Sequence, residues 1–124
     1  MPVALIVDDS EANRKLARDV LRADGFQTVE AATGAEGIVL AFERLPDVIL
    51  MDLRLPDMDG TEATRRLHYD ERTARTPVVA LSAVSLEGND DWLEATGFAG
   101  WLEKPIHVAT FAEQVRGFCP EAAR

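Results

Sequence analysis

The sequence has few of the features that mark secreted or membrane-spanning proteins. It contains one cysteine, Cys119, which cannot form an internal disulfide and whose place near the C-terminus indicates a helix end. No apolar run approaches the roughly 18 residues that a membrane-spanning helix needs, and no secretory leader precedes the first strand-like run. We therefore expect a cytoplasmic protein without a membrane partner.

Basic residues are also scarce. The 13 lysine and arginine residues are outnumbered by 22 aspartate and glutamate residues, which gives a formal net charge of -9 at pH 7. An acidic chain without a basic cluster is unsuited to nucleic acid. The 47% hydrophobic and 28% charged residues are ordinary globular values. A length of 124 residues allows one compact domain, so we expect a single domain over residues 1–124.

Strand and helix patterns alternate along the chain. The strand candidates are residues 3–7, 27–31, 48–51, 78–81 and 100–102. Continuous apolar runs such as 3–7, 48–51 and 78–81 are typical of parallel strands covered on both faces. The alternation predicts an α/β fold with a parallel sheet, right-handed crossovers and helices on both faces. The doubly wound five-stranded order 2-1-3-4-5 fits this length best.

Between the strands, apolar residues recur at helical spacing. Those of the first helix are Ala12, Leu16, Val20 and Ala23. Those of the second helix are Ala35, Ile38, Val39 and Phe42. Gly37 should weaken the second helix by up to ~1 kcal/mol relative to alanine. The fourth helix, at about residues 86–95, is the least defined because it contains Gly88 and few apolar residues.

Polar residues follow the predicted strands at one edge of the sheet. They are Asp8 and Asp9 after the first strand, Asp52 after the third, Ser82 after the fourth and Lys104 after the fifth. Since the first and third strands are neighbours in the predicted order, the three carboxylates should converge. Like charges at such range raise one another's pKa unless a cation lies among them. A few carboxylates with room for water and phosphate favour Mg²⁺ over Ca²⁺.

Lys104 and Ser82 complete a phosphoryl-binding site opposite the acidic cluster. A metal ion and Lys104 would neutralise phosphoryl oxygens, and Ser82 would hydrogen-bond to one of them. Asp52 would then attack phosphorus as the nucleophile.

Four motifs in the chain are together typical of one protein family. They are VDDS at 7–10, MDLRLPDMDG at 51–60, LSA at 81–83 and WLEKP at 101–105. In this order and spacing, the chain resembles the receiver domain of two-component response regulators, which has a flavodoxin-like fold. The resemblance implies that Asp52 is the phosphoacceptor and that Asp9 is a direct metal ligand. It places Asp8 at the second acidic position and the backbone carbonyl of Arg54 as the remaining protein ligand.

The resemblance also implies roles around the phosphoryl group. Ser82 matches the switch hydroxyl, with Ala83 beside it, and Lys104 matches the phosphate-binding lysine, whose bond to Pro105 is expected to be cis. Trp101 occupies the position of the switch aromatic, where Tyr or Phe is usual.

Two further positions, Arg54 and Val84, border the path of the water that removes the phosphoryl group in the family. A bulky cation and an apolar side chain position that water poorly, so the resemblance implies slow self-dephosphorylation.

The implied function is a Mg²⁺-dependent, phosphorylation-controlled signalling switch that catalyses only its own phosphorylation and dephosphorylation. It would take its phosphoryl group from a histidine kinase or a histidine phosphotransfer protein. With no output domain, it would act by onward phosphorelay or by docking to a protein target. The family places such a target on the face of the fourth helix, fifth strand and fifth helix.

Two alternatives stay open. A small phosphohydrolase with a phospho-Asp intermediate, like the haloacid dehalogenases, needs a second acid two residues after the first, where this chain has Arg54. A phosphorylation-independent interaction module would not need the complete pocket. A flavin-binding relative is disfavoured, because Asp8 and Asp9 replace the loop that would cradle a phosphate.

Overall fold

The computed structural model describes residues 1–123, in which five strands alternate with five helices. The strands are β1 (Val3–Val7), β2 (Gln27–Ala31), β3 (Val48–Asp52), β4 (Val78–Ser82) and β5 (Gly100–Glu103). The helices are α1 (Glu11–Ala23), α2 (Gly34–Arg44), α3 (Gly60–Tyr69), α4 (Asp90–Thr96) and α5 (Val108–Phe118). A short 3₁₀ turn, Glu121–Ala123, follows.

All strand pairs are parallel, and the order β2-β1-β3-β4-β5 confirms the predicted topology. The strand register positions the candidate site. Val7 pairs with Met51, so the chain leaves β1 at Asp8 directly beside Asp52. Ser82 pairs with Glu103, so the chain leaves β5 at Lys104 beside Ser82. The polar residues therefore meet at one edge because of backbone pairing alone.

The sheet separates two hydrophobic clusters, one on each face. One cluster includes Leu21 and Phe111, contributed by α1 and α5. The other includes Ala41, Leu67 and Leu93, contributed by α2, α3 and α4. The central strands β3 and β4 are buried along their whole length, as their continuous apolar sequences predict. Across residues 1–123, no helix combines the length and hydropathy of a membrane span.

The buried face of α1 is rotated from the predicted one. Three of the four predicted residues are exposed, Leu16 to 40%, and Val20 alone is partly buried. The buried residues are instead Ala17 and Leu21. The prediction was wrong because α1 carries apolar residues on two adjacent stripes, and packing between the sheet and α5 selects one of them.

On α2, small residues face the sheet. Gly34, Gly37 and Ala41 are buried, whereas Val39 from the predicted face is 51% exposed. A Cβ atom on Gly37 would lie 2.8 Å from Cγ2 of Val7 and 3.1 Å from its Cγ1. Glycine thus lets α2 lie close against β1. A prediction based on large apolar side chains cannot detect such a contact.

α4 begins at Asp90 and not near residue 86, so the predicted helix was too long. Residues 86–89 form a turn in which the Asn89 N–H donates to the Leu86 carbonyl at 3.0 Å. Gly88 has φ 82, a left-handed conformation that a right-handed helix does not contain. The helix ends at Thr96, and Gly97 follows with a φ of 91, the left-handed conformation of a C-cap glycine.

Replacing Gly37 by alanine should destabilise the protein, although alanine is the better helix former. The gain in helix propensity is at most ~1 kcal/mol, whereas inserting a methyl group into a packed core costs about 1–3 kcal/mol. Urea unfolding should therefore show a net loss of stability. Gly117→Ala is the matched control, because a Cβ there would meet nothing within 4 Å. A Gly37→Ala protein more stable than its parent would contradict the close approach of α2 to β1.

Candidate functional site

Three carboxylates converge at the carboxyl edge of the sheet. Asp8 and Asp9 directly follow β1, and Asp52 ends β3. One carboxylate oxygen from each lies within 4.8 Å of the others. Asp8 is 1% exposed and Asp52 6%, whereas Asp9 is exposed. The structure thus brings the predicted acidic residues together in a pocket whose open side is formed by Asp9.

Lys104 lies between two of these carboxylates. Its Nζ is 3.1 Å from Asp52 Oδ2 and 3.3 Å from Asp8 Oδ2, and its side chain is 18% exposed. The backbone N–H of Lys104 donates to the Ser82 carbonyl at 2.8 Å, which holds the start of the loop after β5 beside β4. The peptide bond between Lys104 and Pro105 is cis. The half-buried ammonium group of Lys104 is therefore in place beside the predicted nucleophile.

The pKa of Asp52 is raised mainly because its carboxyl group is buried, and the charge of Asp8 adds to this effect. The Arg54 N–H, which donates to Asp52 Oδ1 at 3.1 Å, and Lys104 oppose the rise without cancelling it. Burial lowers the pKa of Lys104, but its interactions with Asp52 and Asp8 outweigh burial and raise it. The rise at Asp52 thus comes mainly from burial, and the rise at Lys104 comes from its two carboxylate partners.

The donor atoms suit a hard divalent cation. All of them are oxygens, two of the carboxylates are buried, and the exposed Asp9 leaves one side open to water. Mg²⁺ is typically held by a few carboxylates and keeps several of its waters. Arg54, whose carbonyl was predicted as a further ligand, lies in the loop directly after β3. The residues present therefore fit the metal that the sequence predicted.

The predicted switch residues lie beside the pocket. Ser82 is buried at the end of β4, and its Oγ donates to the Val84 carbonyl at 2.7 Å and accepts from the Val84 N–H at 3.2 Å. Ala83 is exposed, and Val84 is 67% exposed. Trp101, in β5, is half-buried against the cluster shared by α2, α3 and α4. The Ser82 hydroxyl is thus fully engaged in its own turn in this structure.

Two residues that the sequence analysis missed hold Asp8 in place. Arg14 Nη1 donates to the Asp8 carbonyl at 2.7 Å, and Asn13 Nδ2 donates to Asp8 Oδ2 at 3.4 Å. Glu30 on β2 in turn pairs with Arg14, with Nε and Oε1 3.4 Å apart. Side chains on a helix tilt towards its N-terminus. Polar residues early in α1 were therefore detectable as candidates to fold back over the strand end.

A comparison with protein families decides the identity of this site. The model of the response regulator receiver domain matches residues 4–116, which include the whole pocket. The chain belongs to this family. The family predicted from the four sequence motifs is confirmed. Phosphorylation on aspartate is a feature of receiver domains, so this receiver domain acts in phosphorylation-controlled signalling, as a switch and not as a conventional enzyme.

Its relatives include small response regulators. The chain is 37% identical over 118 residues to the polar-differentiation response regulator DivK of Brucella ovis, covering 95% of this chain and 96% of that protein. It is 36% identical over the same length to the DivK protein of Brucella anthropi. Both matches extend through the whole receiver domain and leave little of either relative uncovered.

Solved structures show the same fold. The chemotaxis protein CheY4 of Vibrio cholerae superimposes with a TM-score of 0.88 at 28% identity, covering 95% of this chain and 98% of that one. The receiver domain of the sensor histidine kinase PA1611 of Pseudomonas aeruginosa gives a TM-score of 0.83 at 31% identity, covering 94% and 96%. That structure has a magnesium ion coordinated in its active site cleft. Receiver domains as a class bind Mg²⁺ at such an acidic pocket.

Proposed function

We propose that residues 1–124 form one receiver domain that accepts a phosphoryl group on Asp52 from a histidine kinase or a histidine phosphotransfer protein. The observation that carries this proposal is the placement of Asp52, which is buried at a strand end and 3.1 Å from Lys104 Nζ. An Asp52 carboxylate oxygen would attack the phosphorus of the donor's phosphohistidine. The phosphorus–nitrogen bond breaks, the imidazole nitrogen keeps the electron pair, and an acyl phosphate forms on Asp52.

The metal site belongs to the same proposal. Asp8, Asp9, Asp52 and the backbone carbonyl of Arg54 would hold Mg²⁺, with Asp8 acting partly through water. When bound, the ion offsets negative charge on the transferred phosphoryl group. Lys104 supplies a second positive charge once it exchanges a carboxylate for a phosphoryl oxygen.

Ser82 and Ala83 would contact another phosphoryl oxygen. Ser82 is near enough in the fold because β4 is the neighbour of β3, with Asp52 paired to Leu81, the residue before Ser82. Ala83 directly follows β4 and is exposed. These contacts distinguish the phosphorylated state from the unphosphorylated one.

Intact-mass measurement tests the proposal. After incubation with Mg²⁺ and a small acyl phosphate, the protein should carry one phosphoryl group that mild alkali removes. Removal of Mg²⁺ with a chelator before the phosphodonor is added should prevent the adduct. If the folded protein gains no phosphoryl group under these conditions, the proposed function is wrong.

The signal would leave the pocket through Ser82 and Trp101. To reach a phosphoryl oxygen, the Ser82 hydroxyl must give up its hydrogen bond to the Val84 carbonyl. Trp101 could then turn inward, as the family's aromatic residue does. The indole is larger than the usual phenol ring, and burying its N–H without a partner costs about 1–3 kcal/mol. Typical allosteric couplings are of the same size, roughly 1–3 kcal/mol, so the expected inward shift is partial.

Tryptophan fluorescence measures this shift. In a Trp92→Phe background, addition of Mg²⁺ and beryllofluoride should change the fluorescence emission of Trp101. The change should be smaller than the one expected for a fully buried indole. The Trp101→Phe protein, which retains Trp92, is the control for effects outside β5. An unchanged Trp101 signal in a protein shown by calorimetry to bind the mimic would contradict the role of Trp101.

The downstream target would dock on the face formed by α4, β5 and α5. Glu94 of α4 and half-buried Trp101 of β5 line a groove on this face. The short helix α4 also carries the exposed residues Asp91 and Trp92. A change at Trp101 would therefore alter a surface that a protein partner can read.

The lifetime of the phosphorylated state should depend on Arg54 and Val84. Both are exposed, and they lie on the loops that follow β3 and β4. Replacing them with small polar residues, Arg54→Asn with Val84→Ser, should speed loss of the phosphoryl group because water is then better positioned. The measurement is the decay of the adduct after the phosphodonor is removed, with each single variant as a control. A double variant that decays at the parental rate would show that other groups control water access.

A further inference from the structure

Asp57, in the loop between β3 and α3, makes a contact that the phosphorylation site does not explain. Its Oδ1 accepts a hydrogen bond from the Gly34 N–H at 2.8 Å, and its Oδ2 accepts one from the Ala35 N–H at 3.0 Å. These two N–H groups lower the pKa of Asp57, the Ala35 group most. One carboxylate thus binds the first turn of α2 through both oxygens.

The neighbouring residue packs on the same helix end. A Cβ atom on Gly34 would lie 2.6 Å from Cγ and 2.7 Å from Sδ of Met58. Gly34 is buried as a result. The loop after β3 is therefore held on α2 by an apolar contact as well as by two hydrogen bonds.

Local residues cap only part of the start of α2. Thr33 Oγ1 accepts from the Glu36 N–H at 3.1 Å, and Glu36 Oε1 accepts from the Ala32 N–H at 3.0 Å. This pair is similar to a capping box, but Glu36 binds the residue before the N-cap, and the N–H groups of Gly34 and Ala35 are left for Asp57. The Asp57 contact therefore completes the start of α2 and also joins it to a loop 22 residues away in sequence.

The anchored loop leads directly to the pocket. Arg54 forms an isolated backbone bridge with Asp59, and the Gly60 N–H donates to the Leu53 carbonyl at 2.8 Å. The Arg54 N–H donates to Asp52 Oδ1 at 3.1 Å. A shift of the outer part of the loop would therefore move the backbone at Arg54.

We propose that Asp57 is a positioning residue for the metal site, which holds the backbone of Arg54 in place by anchoring the loop to α2. The inference rests on the proposed function, because the Arg54 carbonyl is a ligand only there. Asp57 itself contacts neither the cation nor the phosphoryl group. Its loss should therefore weaken Mg²⁺ binding and leave the maximal phosphorylation rate intact.

The test compares Asp57→Ala with Thr33→Ala, which removes an acceptor from the same helix end without touching the loop. Mg²⁺ affinity is measured by calorimetry without a phosphodonor, and the phosphorylation rate with an acyl phosphate is measured over a range of Mg²⁺ concentrations. Asp57→Ala should weaken Mg²⁺ binding about tenfold, the lower end of the outer-shell effects known for metal sites. The rate at saturating Mg²⁺ should match that of the parent. Thr33→Ala should keep the parental Mg²⁺ affinity even where urea unfolding shows lower stability.

The outcomes separate the two proposals. Equal Mg²⁺ affinity in Asp57→Ala and the parent, or an equal loss in both variants, would overturn the positioning role. If the parent binds Mg²⁺ but gains no phosphoryl group, the proposed function fails, and the calorimetry still decides the role of Asp57. Asp57→Asn keeps one acceptor oxygen and should give an intermediate affinity, and it replaces Asp57→Ala if that protein does not fold.

Discussion

Asp52→Asn should abolish the phosphoryl adduct completely. The amide keeps the size of the side chain but lacks the anionic oxygen that attacks phosphorus. Intact-mass measurement with an acyl phosphate and Mg²⁺ should show one adduct on the parent and none on the variant. Asp59→Asn is the matched control, because Asp59 lies in the same loop and its side chain makes no cap hydrogen bond to α3. Labelling of the variant at another residue with the parental rate would contradict the assignment of Asp52.

The Asp52→Asn protein should remain folded, which makes the loss of the adduct interpretable. Burial raises the folded-state pKa of Asp52 above its ordinary value. The ionised carboxylate therefore costs stability at neutral pH, and this cost is lost as the pH falls from the raised pKa to below the ordinary one. Asparagine never carries this cost, and Lys104 keeps Asp8 as its partner at 3.3 Å. We therefore expect an unfolding midpoint in metal-free buffer no lower than that of the parent.

The features of this protein that the sequence predicts well are the pocket residues, because their positions are set by where the strands end. Each strand of a parallel sheet delivers the next residue to the same edge, so reading Asp8, Asp52, Ser82 and Lys104 after apolar runs was enough to assemble the pocket. The topology followed from the alternation of strands and helices, and the family from four motifs whose order and spacing are specific.

What the sequence did not reveal depends on contacts between distant segments. The buried face of α1 is selected by packing, and Gly37 faces the sheet because Val7 lies against it. The hydrogen bonds from the start of α2 to Asp57 join residues whose spacing follows no periodicity. Each of these contacts needs the relative position of two elements, which a pattern within one element does not contain.

Asp9→Ala should lower Mg²⁺ affinity and phosphorylation together. Asp9 contributes the exposed carboxylate of the three that lie within 4.8 Å of one another. Outer-shell substitutions typically weaken metal sites about 10-fold to 100-fold, so loss of a direct ligand should cost at least about tenfold. The fold should survive, because the side chain is exposed and belongs to neither hydrophobic cluster.

The control for this prediction is Glu11→Ala, which removes the same charge from the exposed first turn of α1, outside the acidic cluster. Calorimetry should show parental Mg²⁺ affinity for this control and weakened affinity for Asp9→Ala. High Mg²⁺ should then restore phosphorylation of Asp9→Ala, whereas no Mg²⁺ concentration should restore it in Asp52→Asn. This difference separates a residue that binds the cation from one that forms the bond to phosphorus. If Asp9→Ala binds Mg²⁺ as the parent does, the cation is held by other groups and the proposed ligand set is wrong.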